Sequence, residues 1–159
     1  QGNRDFLLGH AYAQQCGGQL LDDPCTITIN NKTIVLSHGD QLCTNDEGYM
    51  LYRRIVHTVF LQALFLKLPL SWRRKIARKL RDNSKMHSQR KPEMRMDVDI
   101  PSAINLCKQH QSTLLIHGHT HKPATHQHDD ITRIVLAAWH DQGHYLMIDD
   151  KLNITSQYF

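Results

Sequence analysis

Leu114-Leu115-Ile116-His117-Gly118-His119-Thr120-His121, followed by Lys122-Pro123, is an apolar, β-prone run that ends in a turn dense with imidazoles. A strand of this kind delivers side chains to the rim of a sheet. In an extended or tightly turned backbone His119 and His121 project side by side, and Gly118 lets the main chain approach a bound ion with no side chain in the way. Neutral imidazole suits Zn, Mn, Fe and Ni, so the stretch points to a transition-metal site. The plainer alternative is a histidine-rich surface turn.

Two upstream stretches weigh against that alternative. Cys25 to Ile29 and Thr33 to Leu36 flank Asn30-Asn31-Lys32, a hairpin signal, and the second strand runs into Ser37-His38-Gly39-Asp40. An apolar strand ending in His-Gly thus occurs twice. Near the start, Gly2-Asn3-Arg4-Asp5 precedes Phe6 to Gln15, whose apolar spacing predicts a short helix stopped at Cys16-Gly17-Gly18. Asparagine before a helix is usually a cap. Two strand-to-His-Gly junctions and a Gly-Asn-Arg-Asp loop together favour one shared site.

The 159 residues suffice for the core of one ordinary domain. A net charge of +4 and a pI near 9.0 suit an anionic partner such as a phosphate, a nucleic acid or a lipid surface. Cys16, Cys25, Cys43 and Cys107 form no CxxC pair, which argues against a zinc ribbon or a redox dithiol. They are expected to be buried free thiols. Val59 to Leu70 is interrupted by Gln62, Lys67 and Pro69 and is too short to span a bilayer.

The middle of the chain is helical in pattern. Tyr49 to Leu66 predicts one long helix, more apolar than a surface helix requires. Ser71 to Arg81 predicts a second, with Trp72, Ile76 and Leu80 on one side and Arg73, Arg74, Lys75, Arg78, Lys79 and Arg81 crowding the other. Such a cationic amphipathic helix lies on an anionic membrane, covers a phosphorylated ligand, or simply turns a solvated face outward. Beside an apolar helix it makes a greasy slot with a charged mouth, suited to a lipid that carries phosphate. Arg81 to Pro92 reads as a polar loop. Pro101 fits the first turn of a helix to about Gln109. Ile131 to Ala137, Tyr145 to Ile148 and Leu152 to Ser156 read as three further strands, while His126, His128, His140 and His144 read as surface residues.

Gly2-Asn3-Arg4-Asp5, Ser37-His38-Gly39-Asp40 and Gly118-His119-Thr120-His121 resemble, in order and spacing, the last three of five ligand motifs of the calcineurin-like metallophosphoesterases. More narrowly, Gly2 to Gly9, His38 to Thr44, Arg81 to Lys85 and Ile116 to Pro123 look like the UDP-2,3-diacylglucosamine diphosphatase branch, which serves lipid A synthesis in Gram-negative bacteria. The resemblance covers essentially the whole chain. It implies an α/β (α+β) two-sheet sandwich flanked by helices, with residues 49–91 as a helical cap insertion and residues 1–159 as the C-terminal part of one domain. It also implies that Asn3, His38 and His119 hold one Mn ion and His121 the other. Asn3, Arg4, Asp46, Ser84, Ser88, Lys91 and His119 would contact substrate, with Arg81 near the diphosphate and Tyr49 and Phe65 along the lipid chamber. Ser88 departs from the asparagine often found there.

The reaction the resemblance implies is direct hydrolysis of UDP-2,3-diacylglucosamine to UMP and 2,3-diacylglucosamine 1-phosphate (lipid X), by water activated between two metal ions. No catalytic residue beyond the metal site is implied. The setting would be cytoplasmic and peripheral, on the inner membrane. The family's first two motifs, Asp-x-His and a first Gly-Asp, would precede Gln1, so the 159-residue chain is expected to be a fragment that is inactive alone. Competing readings are a calcineurin-like phosphoesterase acting on nucleotides, a non-catalytic basic membrane-surface module and, weakest, a nucleic-acid binder.

Overall fold

In the computed structural model, which describes residues 2–3, 5–90 and 97–159 (backbone alone at 85 and 87–90), Asn30 and Asn31 both take positive φ, 49° and 60°. Asparagine tolerates this region better than most residues, and two such residues close the tight turn that matches strand twist. They join β1 (Cys25–Ile29) to β2 (Lys32–Ser37) in antiparallel register, Ile27 opposite Ile34. Beyond this hairpin, β2 runs parallel to β3 (Leu114–His117), and β3 parallel to β5 (Ile131–Val135). A further strand, β4 (Ala124–His128), pairs antiparallel with β5 at the edge and gives the order β1-β2-β3-β5-β4.

The parallel strands are apolar on both faces because both are covered. Ile34, Ile116 and Ile134 centre one face, where they meet Leu146, Ile148, Leu152 and Ile154 from the second sheet, a hairpin of β6 (His144–Ile148) and β7 (Ile154–Tyr158), and the loop between its strands. Side chains alternate along a strand, so Val35, Leu115 and His117 face the other way, where α5 (Ile100–Gln109) contacts β3 and supplies Ala103, Leu106 and Cys107 to the core. Asp99 caps α5 by accepting from the Ser102 amide at 3.0 Å, and Pro101 sits in the first turn, where its missing N–H costs nothing. The result is a mixed α/β architecture with a five-stranded mixed sheet.

α1 is shorter than its apolar spacing suggests: it spans His10–Gln15, with Phe6 and Leu7 in a preceding turn. Its end follows expectation. Gly17 takes φ 66°, while Gly17 and Gly18 donate to Gln14 O and Ala13 O, the paired bonds of a left-handed helix stop. β4 lies in a stretch of no apolar alternation, where edge pairing with β5 supplies the order. His126 and His128 on it are half-buried with their rings stacked 6.0 Å apart, not surface residues. His144 is buried too: Nδ1 accepts from the Ala137 amide at 3.0 Å, Nε2 lies 2.7 Å from Ser156 Oγ, and the ring packs on Tyr158. His140 is exposed as expected. Cys43 and Cys107 are buried, but Cys16 is exposed and Cys25 half-buried, so the thiols do not form one class.

Chain contacts separate Cys43–Asp97 as a second compact unit, inserted between Leu42 and Val98 of the first. It contains residues 49–91, and the regular structure among its described residues is helical. The long helix expected over Tyr49 to Leu66 is two, α2 (Glu47–Val56) and α3 (Val59–Leu66). The break is at His57-Thr58: Thr58 takes extended backbone angles and its hydroxyl donates to Arg54 O, ending one helix and starting the next. α4 runs Leu70–Arg90, so the stretch from Arg81 expected to be a loop is helical up to Arg90. Arg, Lys, Met and Gln are good helix formers, and neither Gly nor Pro interrupts them before Pro92. Neither α2 nor α3 has a buried residue; Val59 and Phe60 are 78% and 74% exposed. Among the described residues no helix is long and apolar enough to cross a membrane.

Candidate metal and phosphate site

The two His-Gly junctions lie side by side because β2 and β3 are parallel neighbours ending in register, Ser37 opposite His117. The Gly118 amide then donates to His38 O at 3.1 Å, tying one turn to the other. His38 and His119, which follow those strand ends, meet edge to face with ring centroids 5.1 Å apart. Gly2 completes the cluster. A Cβ built on it would stand 2.7 Å from His38 Cδ2 and Nε2, so the backbone just before Asn3 lies against that ring, as only glycine allows.

Other groups converge there. Asp40 is 2% exposed, and its Oδ1 lies 3.3 Å from His38 Nδ1, a buried nitrogen with no hydrogen bond. Burial, with the neighbouring His38, holds His119 down at about 4, while Asp40 pulls the other way and His121 and His117 add to the lowering. His119 is therefore a neutral imidazole at ordinary pH, with a lone pair to offer. His119 and His121 both take positive φ, 63° and 54°, an uncommon backbone state for side chains of their size.

The opposite side of the His38 turn is held by Asp23. One of its oxygens, Oδ1, accepts from Ser37 Oγ at 2.7 Å, the His38 amide at 3.1 Å and Gln41 Nε2 at 3.3 Å. Gly39, at φ 102°, brings the backbone against the His117 ring, where a Cβ would stand 2.8 Å from Nδ1. His117 is wholly buried and meets the buried Arg133 at 3.1 Å.

Do these residues fit a metal? Two imidazoles on one ion, each nitrogen about 2.1 Å from it, put ring centroids roughly 5 to 6 Å apart, and the observed spacing falls there. The unbonded His38 nitrogen, the neutral His119 and the glycine cradle fit as well. Among the described residues no three His, Cys, Asp or Glu side chains are already gathered as a ligand set. Asn3 lies outside those residue types.

Of the residues expected at the site, Asn3 follows Gly2, and His38, His119 and His121 share the first unit. Asp46, Tyr49, Phe65, Arg81 and Ser84 belong to the inserted unit. There, Asp46 is buried and caps α2 by accepting from the Tyr49 amide at 3.0 Å, Tyr49 and Phe65 are half-buried, and Arg81 and Ser84 are exposed on α4. Arg4, Lys91 and the Ser88 side chain lie outside the described residues. Asp23, Asp40, His117 and Arg133 went unflagged in the sequence. Asp40 was the most legible, following directly on His38-Gly39, and the strand alternation placed His117 in phase with the buried Leu115.

No family model matches the chain. Individual proteins do. A UDP-2,3-diacylglucosamine hydrolase of Photorhabdus laumondii is 47% identical over 94% of this chain and 64% of its own length. Proteins of the same name from Aeromonas hydrophila and Tolumonas auensis are 47% and 45% identical over 92% and 98% of this chain. The chain spans 62 to 66% of these three relatives, just under two thirds of their length. Over nearly all of its length, the chain is thus similar in sequence to proteins named UDP-2,3-diacylglucosamine hydrolase.

Proposed function

We propose that this chain carries the histidine-bearing part of a dimetal phosphohydrolase site, in a protein that cleaves the diphosphate of UDP-2,3-diacylglucosamine to UMP and 2,3-diacylglucosamine 1-phosphate in lipid A synthesis. The observation that carries the reading is the in-register end of β2 and β3, which brings His38 and His119 to 5.1 Å between ring centroids. The name shared by the relatives supplies the substrate.

Asn3, His38 and His119 would hold one Mn2+ and His121 the other. Bound there, the ions supply Lewis acidity that lowers the pKa of water and neutralises phosphoryl charge. The chain's own residues bind and orient. Neutral His119 offers a lone pair without first shedding a proton. Arg4, Arg81 and Lys91 offset diphosphate charge, with Arg able to grip two oxygens at once. Asp46, Ser84 and Ser88 hydrogen-bond the polar head of the substrate, and Tyr49 and Phe65 line the acyl chains. The exposed apolar α3 and the cationic α4 suit work at the cytoplasmic face of the inner membrane.

The test is release of UMP from UDP-2,3-diacylglucosamine with Mn2+, run on the protein at the full length of its relatives and on the 159-residue chain. Turnover by the longer form, lost on His119→Ala and absent from the chain alone, is the expected result. Turnover of nucleotides with the lipid substrate untouched would move the assignment to a nucleotide phosphoesterase. Vesicle binding unaffected by chelator, with no turnover, would leave a basic membrane-surface module.

A further inference from the structure

Beneath the paired histidines lies a contact that none of the proposed ligand roles uses. His117 is the last residue of β3, 0% exposed, and Arg133 of β5 is 5% exposed. They share a sheet face, because Arg133 stands opposite Leu115 in the β3–β5 register and Leu115 and His117 are two apart. A guanidinium only donates, so at 3.1 Å Arg133 Nη1 donates a hydrogen bond to His117 Nε2. With Nε2 accepting, the ring proton of a neutral His117 sits on Nδ1 and is donated to Gly118 O, 2.9 Å away. The relay therefore runs from Arg133 through His117 to the carbonyl of the peptide that begins at His119.

The same ring touches the other junction. Gly39, directly after His38, packs on it so closely that a Cβ would meet Nδ1, Cγ and Cβ of His117 at 2.8, 3.2 and 3.3 Å. One imidazole thus holds the turn after His38 and the peptide before His119. Those turns need holding, since His119 and His121 sit in left-handed backbone states that persist only where surroundings over-determine them.

We propose that His117 and Arg133 are positioning residues that fix the mutual geometry of His38 and His119, and so set the metal affinity of the pair. This rests on the metal reading of His38 and His119 given above. Groups of this kind, bound to ligand-bearing segments, typically govern metal affinity by about 10- to 100-fold.

The experiment is a Mn2+ titration of the 159-residue chain, followed by paramagnetic broadening of the assigned His38 and His119 ring resonances, with circular dichroism to check the fold. Arg133→Met removes the donor at similar length, and Arg133→Lys keeps one. In the parent, both rings should broaden first among the histidines. Arg133→Met should need roughly tenfold more Mn2+ for the same broadening, with Arg133→Lys between the two. Should Arg133→Met lose its fold, His117→Gln carries the test, because Gln keeps an acceptor for Arg133 and gives up the Nδ1 proton to Gly118 O. Folded variants that broaden at the parent's Mn2+ concentration overturn the positioning role. A parent whose His38 and His119 rings ignore Mn2+ overturns the metal reading itself, and this inference with it.

Discussion

Replacing Gly39 by alanine tests the closeness of the two junctions without touching a candidate ligand. The residue sits at φ 102°, where an L side chain is strained, and the new methyl would meet three atoms of the His117 ring between 2.8 and 3.3 Å. That ring has little room to retreat, being wholly buried with Arg133 at its far nitrogen. Backbone strain of about 1–3 kcal/mol and overpacking of about 1–3 kcal/mol add to roughly 2–6 kcal/mol, against a usual total near 5–15 kcal/mol. At about 2–4 °C per kcal/mol for a chain of this size, thermal unfolding by circular dichroism should shift down by roughly 4–24 °C. Gly17→Ala is the control. It also sits at positive φ, 66°, but its Cβ would meet nothing within 4 Å, so strain alone of about 1–2 kcal/mol should lower its midpoint by only a few degrees. A Gly39→Ala midpoint within about 2 °C of the parent, or no lower than that of Gly17→Ala, would refute the close packing of Gly39 on His117.

Asp23→Ala strips one acceptor from Ser37 Oγ, the His38 amide and Gln41 Nε2; denaturant unfolding should show a loss of about 2–4 kcal/mol, and a loss under about 0.5 kcal/mol would mean the brace is not used. Cys16 should react at once with a thiol reagent at pH 8, whereas Cys107, wholly buried and with its thiol pushed up to about 11 by burial and by Asp130, should react only on unfolding; equal rates measured by absorbance would contradict this. Asp149 accepts from the Asn153 side chain and amide and from the Lys151 amide, which hold its carboxyl below the ordinary 3.8. Its folded pKa being depressed, its contribution to the β6–β7 turn is present above 3.8 and lost as pH falls through the lower folded value. The Lys151 and Asn153 amide shifts should then titrate with a midpoint under 3.8, and one at or above it would show that the bonds do not form.

What could be read in advance was what local chemistry decides. Asn30-Asn31 announced a tight hairpin, Gly17-Gly18 a helix stop, Pro101 a helix start, and the two strand-to-His-Gly runs a shared rim. What escaped depends on distant partners. Nothing within Ala124–His128 marks a strand, because its order comes from pairing with β5. The His57-Thr58 break is silent in an apolar window, since a hydroxyl turning back to Arg54 O leaves no periodic trace. The positive φ of His119 and His121 was equally hidden, histidine being an ordinary residue in most settings. His117 showed a strand's phase, but its partner Arg133 comes from another strand, and only the fold puts the two in contact.

The chain leaves the first unit at Leu42 and re-enters at Val98, and at these crossings the Asp99 amide donates to Leu42 O at 2.8 Å. Entry and exit so close together form a neck, and whatever hangs from a neck is exchangeable. Substituting a turn of a few residues for Cys43–Asp97 would shorten the closed loop more than tenfold and ease its entropy of closure by about 2 kcal/mol. The sheet, with both histidine-bearing rims, would be kept as an independent scaffold. Amide exchange in β2 and β3 of such a miniature would show whether the neck alone suffices: slow exchange there would make the insertion a removable accessory, and fast exchange would make it a part of the frame.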